Sequence, residues 1–217
     1  MNEERLLNDE WYFAKTVLDT EQPEDNAYQP VDLPHDWLIE DSTNLYENSI
    51  GWYKRRLDLD DLDKLYFLYF DGVYMDSQIF VNGIFVGEWK YGYSAFEFEI
   101  TEALKMGSNE ILVKVVHQAP NSRWYSGAGI YRNVSLKIRE QSYIPTDGVY
   151  VSITENSHDE WHVQIETEAI IQGEATMTQQ LFDGDELILS KTESTQSFHT
   201  TQKLIVHHPE RWSLQHP

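Results

Sequence analysis

The apolar positions of this chain fall into short runs with a period of two, separated by Gly, Asn, Asp and Pro. Trp52 to Leu59 reads as a strand opened by Gly51 and closed by the acidic turn Asp60-Asp61-Leu62-Asp63. Tyr66 to Phe70 is a continuous apolar run, which predicts a strand buried on both faces. Asn82-Gly83 stands between Gln78-Ile79-Phe80-Val81 and Ile84-Phe85-Val86-Gly87. Asn-Gly favours a two-residue type I′ turn whose twist matches the flanking strands. Such a turn predicts Val81 opposite Ile84 and Ile79 opposite Val86 on one face, with Phe80 opposite Phe85 on the other. Phe96, Phe98 and Ile100 alternate with Glu97 and Glu99, and a short turn from Thr101 to Lys105 follows with Thr101 as its N-cap. Ile111, Val113 and Val115 alternate with Leu112, Lys114 and Val116, and Val134, Leu136 and Ile138 with Ser135, Lys137 and Arg139. No helical period competes. Closely spaced strands with turn residues between them predict an antiparallel β-sandwich. Residues 1–50 lack this rhythm and read as irregular.

Near residue 140 the style changes. Ile144-Pro145-Thr146-Asp147-Gly148 reads as a linker or turn, and Val149, Val151 and Ile153 begin a second series. Strand-like runs follow near 161–169, 174–182, 186–190, 197–206 and 210–215, with Asp183-Gly184-Asp185 as a turn. The chain therefore divides into two all-β domains, 1–140 and 141–217. The second shows about six strands where an immunoglobulin-like sandwich has seven or more. It reads as incomplete at its C-terminus. An open sheet edge invites pairing with another copy, so a homo-oligomer is expected.

Composition narrows the function classes. Apolar residues make up 41% of the 217 and aromatics 13%, which supports a packed core and argues against global disorder. The formal net charge of −21 opposes phosphate backbones and anionic lipid. No nucleic-acid and no membrane partner is expected, whereas a neutral sugar meets no such opposition. There are no Cys, so disulfides and thiol catalysis are excluded. With no basic and apolar leader after Met1, a cytoplasmic location is expected. The eight His are scattered and no His-x-x-x-His helix exists, so neither a metal site nor a cofactor is expected.

The chemistry concentrates in Arg123-Trp124-Tyr125-Ser126-Gly127-Ala128-Gly129-Ile130-Tyr131-Arg132. Gly127 and Gly129 permit positive φ or a close approach to another group. Amphipathic rings beside a planar cationic donor offer what a sugar ring needs: an apolar face to stack on and fixed donors for its hydroxyls. The alternative is that Trp124 and Tyr131 are core aromatics at a corner of the sandwich. No two Glu can be placed at strand ends around a common cleft. Glu97 and Glu99 read as a solvated face, and Glu24, Glu155 and Glu160 as turn residues. No catalytic residue is assigned within the chain.

Leu33-Pro34-His35-Asp36-Trp37, Gly51-Trp52-Tyr53-Lys54-Arg55, Phe70-Asp71-Gly72-Val73-Tyr74, Val81-Asn82-Gly83, Gly92-Tyr93-Ser94-Ala95-Phe96 and the Arg123–Arg132 stretch occur in one order over nearly 140 residues. Together they resemble the N-terminal part of glycoside hydrolase family 2, and its β-galactosidase branch more than its glucuronidase branch. The resemblance implies a jelly-roll, galactose-binding-like sandwich followed by an immunoglobulin-like domain, which Pro209-Glu210-Arg211-Trp212-Ser213-Leu214 also resembles. It implies that the catalytic Glu pair of a retaining β-glycosidase lies outside this chain, on a (β/α)₈ barrel. It also implies that Asp36, Trp37, Arg123, Trp124 and Tyr125 reach over the barrel mouth towards the sugar. Where some relatives carry Asp in this stretch, the chain has Asn133. Two other readings stay open: a free-standing carbohydrate-binding module, and a structural or assembly module. The last predicts that Trp124 and Tyr125 are buried, within the domain or between subunits.

Overall fold

The computed structural model describes residues 2–41, 43–157, 159–210 and 213–214. The chain forms two compact units, Met1–Glu140 and Gln141–Pro217. The first contains β1 (Glu3–Leu6), β2 (Trp11–Thr16), β3 (Gln29–Val31), β4 (Ser49–Leu59), β5 (Leu65–Phe70), β6 (Ser77–Val81), β7 (Ile84–Trp89), β8 (Phe96–Glu99), β9 (Gly107–His117) and β10 (Val134–Arg139). They form a four-stranded sheet, β1-β10-β5-β8, and a six-stranded sheet, β3-β2-β4-β9-β6-β7. Every ladder is antiparallel.

The period-two pattern explains the packing. Tyr53, Ile79, Val81, Ile111, Val113 and Val115 point inward from the larger sheet, and Leu68, Phe70, Val134 and Leu136 from the smaller, into one core. Each side chain fully removed from water there contributes about 1.5–3 kcal/mol. The alternate positions of the larger sheet are not simply solvated. Ile50, Trp52, Leu112 and Ala14 form a second cluster with Tyr28 on its outer face. This accounts for the apolar residues at both phases of β9.

Several expectations need correction. β1, β2 and β3 lie in the stretch that reads as irregular. β2 hides its period because Trp11 enters the main core while Ala14 joins the outer cluster. In the Asn82-Gly83 hairpin, Val81 faces Ile84 and Phe80 faces Phe85, but Ile79 faces Gly87 rather than Val86. A bulge shifts the register, and Gly87 lies against the Phe98 ring, where a Cβ would clash. Thr101 caps no helix: its Oγ1 accepts from the Tyr66 amide. Glu97 is no solvated charge. It binds the Arg139 guanidinium in two bonds of 2.8 Å and lies 3.5 Å from Lys137 Nζ. Those cations cover the outer faces of Phe67 and Tyr69 at 4.2 and 3.5 Å from the ring centroids, so the continuous apolar run of β5 is buried as expected.

The second unit holds β11 (Val149–Ser157), β12 (Glu160–Glu168), β13 (Ala175–Asp183), β14 (Glu186–Thr195) and β15 (His199–His207). The sheets are β11-β12-β15 and the hairpin β13-β14, turned at Gly184 with φ 56°. Glu155 and Glu160 therefore lie in strands, not turns. A small core joins Val163, Ile165 and Leu204 with Leu181, Leu189 and Val206. Val149, Val151 and Ile153, which begin this series in β11, are exposed. The strand expected over 210–215 falls partly on Arg211, Trp212 and Gln215, which lie outside the described residues.

Candidate functional site

Three loops of the first unit meet around the Gly-rich stretch. The chain at 128–130 runs between two others. His35 N donates to Ile130 O at 2.8 Å and Trp37 N to Ala128 O at 3.1 Å. On the other side Gly129 N donates to Tyr74 O at 2.8 Å, and Tyr74 N to Gly129 O at 2.9 Å. Ala128, Gly129 and Ile130 are buried. Gly129 has φ 135°, and a Cβ there would strike His35 O and lie 2.6 Å from Tyr53 Oη. Gly127 has φ 72°, and its Cβ would lie 2.8 Å from Asp36 Oδ2. Both uses expected of these glycines, positive φ and close approach, are realised.

Asp36 fastens the arrangement. Its Oδ1 accepts from Leu38 N and Ala128 N, each at 3.0 Å, and its Oδ2 accepts from the Tyr125 hydroxyl at 2.6 Å. Desolvation, then the bond to the Asp36 carboxylate, pushes the Tyr125 hydroxyl well above its ordinary pKa. Behind Asp36, His35 Nε2 lies 3.3 Å from Glu40 and Nδ1 lies 2.8 Å from Tyr53 Oη. An ionised carboxylate only accepts, so Nε2 carries the proton and Nδ1 accepts from Tyr53 O–H. Burial depresses the His35 pKa, against the opposing pull of Glu40.

The five sequence-derived positions separate into three groups. Trp124 and Tyr125 are 61% and 38% exposed, so the structural alternative keeps only its second form, burial between subunits. Arg123 is exposed beside them, and it takes part in none of the ion pairs found among the described residues. Asp36 is close to them but spends both oxygens on protein donors. Trp37 is only 2% exposed. Its ring stacks on Phe13 at 5.6 Å, lies against Gly51, and donates Nε1–H to Ser49 Oγ at 3.0 Å. The core thus takes Trp37, and no face of it reaches solvent. Tyr131 also packs, donating to Gly92 O at 2.7 Å. Asn133 Oδ1 accepts from Asn8 Nδ2 at 2.9 Å.

Two residues were missed by sequence reasoning as site candidates. Tyr91 and Tyr93 are exposed on the segment after β7, and Trp124 Nε1 donates to Tyr93 Oη at 3.1 Å. The signal was available: Tyr91-Gly92-Tyr93 repeats the aromatic-around-glycine composition of the later loop. No three His, Asp or Glu among the described residues gather as a metal would need.

The first unit is thus an antiparallel β-sandwich with exposed aromatic rings on its loops. Residues 14–139 match the family model for glycosyl hydrolases family 2, sugar binding domain, and the chain belongs to that family. It is 32% identical over 238 aligned positions to a β-galactosidase of Bacteroides ovatus, spanning 97% of this chain and 28% of that protein. A calcium-binding mutant of Bacteroides uniformis β-glucuronidase 2 has the same fold with a TM-score of 0.86 and 25% identity, covering 100% of this chain and 29% of the other. A family 2 member from Bacteroides cellulosilyticus gives a TM-score of 0.82 and 27% identity, covering 98% and 32%. The chain spans less than a third of the length of these relatives.

Proposed function

We propose that this chain is the non-catalytic N-terminal portion of a retaining β-glycosidase of the β-galactosidase type. In this reading, the first unit is a jelly-roll and the second an immunoglobulin-like domain. The Arg123–Tyr125 loop helps to complete the sugar pocket of a (β/α)₈ barrel that carries the two catalytic Glu. The observation that carries the reading is the exposed Trp124 and Tyr125 on a loop clamped by Asp36. The likeness to the Bacteroides ovatus β-galactosidase over nearly the whole chain supports the galactoside choice, and so does a net charge that disfavours anionic substrates.

The test compares hydrolysis of a nitrophenyl β-galactoside by this chain and by the full-length enzyme, wild type and Trp124→Ala. The chain alone is expected to be inactive, and Trp124→Ala to lower kcat/KM of the full-length enzyme about tenfold. Hydrolysis by the chain alone, or an unchanged kcat/KM in the variant, overturns the reading. The exposed rings also favour a second reading, a carbohydrate-binding module acting by itself. It predicts galactose affinity near the micromolar range for this chain without any barrel.

A further inference from the structure

We propose that Tyr91, Tyr93 and Trp124 form a preset shelf that binds a second part of the substrate: an uncharged oligosaccharide chain lying outside the sugar that is cleaved. The proposal rests on the glycosidase reading above, but it adds residues and a ligand class which that reading does not contain.

Tyr91 and Tyr93 are 61% and 45% exposed and Trp124 is 61% exposed. Their rings are nevertheless not loose. The Trp124 indole N–H is committed to Tyr93 Oη at 3.1 Å. Tyr93 meets Tyr74 at 5.2 Å with an interplanar angle of 65°, and Tyr91 meets Tyr93 at 5.8 Å and 68°. Edge-to-face packing of this kind holds aromatic rings in fixed orientations. The segment beneath them is closed end to end and fastened at its middle. Trp89 Nε1 donates to Ser94 Oγ at 3.2 Å, Tyr131 donates to Gly92 O at 2.7 Å, and Gly92 lies against the Tyr74 ring, where a Cβ would clash. Large rings held in place yet left open lose little entropy when a ligand arrives.

The chemistry of the shelf selects the ligand. Segments 89–94 and 122–126 contain Trp, Tyr, Ser, Gly, Lys and Arg and no aliphatic side chain. A protein partner's hot spot would be expected to meet aliphatic as well as aromatic anchors in a dry centre. The Trp124 indole, its N–H already paired with Tyr93, and the two Tyr rings instead offer flat C–H-accepting faces beside hydroxyls, which suits a pyranose with its polar rim. The shelf holds more than one ring, so it suits more than one sugar unit. Lys90 lies 3.6 Å from Glu88 and the chain as a whole is strongly acidic, so a polyanionic glycan is disfavoured.

The experiment titrates the full 217-residue chain with a β-1,4-linked galactan tetramer, with galactose and with a galacturonate tetramer. It follows the indole N–H resonance of Trp124, assigned from a Trp124→Phe variant. The tetramer is expected to shift that resonance saturably and to bind at least tenfold more tightly than galactose. Tyr91→Ala should weaken tetramer binding between about threefold and tenfold. Tyr93→Phe should move the Trp124 resonance before any ligand is added and weaken binding. Phe85→Ala, at an exposed ring on the β6–β7 hairpin, should change nothing. The proposal is overturned if the tetramer leaves the resonance unmoved, if Tyr91→Ala binds as wild type, or if the galacturonate tetramer binds as tightly as the galactan. In the full-length enzyme, Tyr91→Ala should leave nitrophenyl β-galactoside hydrolysis intact, because that substrate extends only to Trp124, which the pocket and the shelf share, and not to Tyr91. Failure of the shelf with a retained Trp124→Ala defect would therefore leave the pocket reading standing, and the converse result would separate them equally well.

Discussion

Replacing Asp36 tests whether the loop cluster is held by a carboxylate or merely decorated by one. Asp36→Ala deletes the acceptor for Leu38 N and Ala128 N, both at 3.0 Å, and for the Tyr125 hydroxyl at 2.6 Å. Leu38 and Ala128 are buried, so their amides have no ready access to replacement water. A hydrogen bond to a charged group contributes about 1.5–3 kcal/mol net, and a buried donor left unmade costs about 1–3 kcal/mol. Tyr125 is exposed and regains water, so its share is about 0.5–1 kcal/mol. Asp36→Ala is expected to destabilise the chain by about 3–5 kcal/mol. Asp36→Asn keeps an oxygen for both amides and loses only the charge and the Tyr125 contact, for about 1–2 kcal/mol. Tyr125→Phe should cost no more than about 1 kcal/mol. Urea unfolding followed by tryptophan fluorescence measures each value, and for a domain of this size the Asp36→Ala loss corresponds to a fall in Tm of roughly 10 °C or more. The reasoning is refuted if Asp36→Ala falls within 0.5 kcal/mol of wild type, or if Tyr125→Phe costs as much as Asp36→Ala. Either result would release Asp36 from its structural duty and return it to the pool of sugar-binding groups.

Four further outcomes are expected. Gly129→Ala must place a Cβ against His35 O and Tyr53 Oη at φ 135°; a loss of about 3 kcal/mol or more should appear as a lower Tm, and an unchanged Tm would refute the close approach. Burial keeps the His35 pKa below its ordinary 6.5, so its contribution to stability is full above about pH 6.5 and is lost as the pH falls through the folded value; His35→Gln should flatten the urea midpoint between about pH 7.5 and 5, and an unaltered slope would count against this. Glu97→Ala removes the bidentate partner of the buried Arg139 and should cost about 3 kcal/mol, whereas Glu97→Ala with Arg139→Met should cost less than Glu97→Ala alone; a double variant worse than the single would argue against an ion pair at that position. Val149, Val151 and Ile153 are exposed on β11, an edge strand among the described residues, so the chain should self-associate with rising concentration and Val151→Lys should suppress it; light scattering that shows the same monomer for both would refute that role.

How much was legible depended on whether the deciding contact was local. The Asn82-Gly83 turn could be read because its φ angles of 52° and 78° are a property of those two residues. The bulge at Val86 could not, because it places Gly87 under a ring from β8. β9 and β10 were legible because apolar residues recur at every second position, whereas β2 was hidden because its two buried residues, Trp11 and Ala14, stand three positions apart. At the site, Trp124, Tyr125 and the two glycines stood out by composition within one short run. The burial of Trp37 is set by Phe13 and Gly51, and the pairing of Trp124 with Tyr93 spans 31 positions. Neither long-range relation leaves a mark in local spacing.

The same contacts bear on what the aromatic surface can discriminate. A site tells hydroxyl configurations apart strongly when it presents polar groups that are left unpaired by the wrong ligand, and only weakly when it presents apolar area. Here the Tyr125 hydroxyl is committed to Asp36, the Trp124 N–H to Tyr93 and both Asp36 oxygens to protein donors. The ring faces remain, with the Arg123 guanidinium beside them. On the reading proposed above, such a surface would hold a sugar by shape and contact area rather than by reading each hydroxyl. Relatives of both β-galactosidase and β-glucuronidase type exist; on the proposed reading a choice between such sugars would fall to groups outside these ring faces, with Arg123 the one cationic side chain of the 122–126 loop. A loop whose backbone and carboxylate are used up in holding it rigid is suited to lending area and order to a binding site while leaving stereochemical selection to another surface.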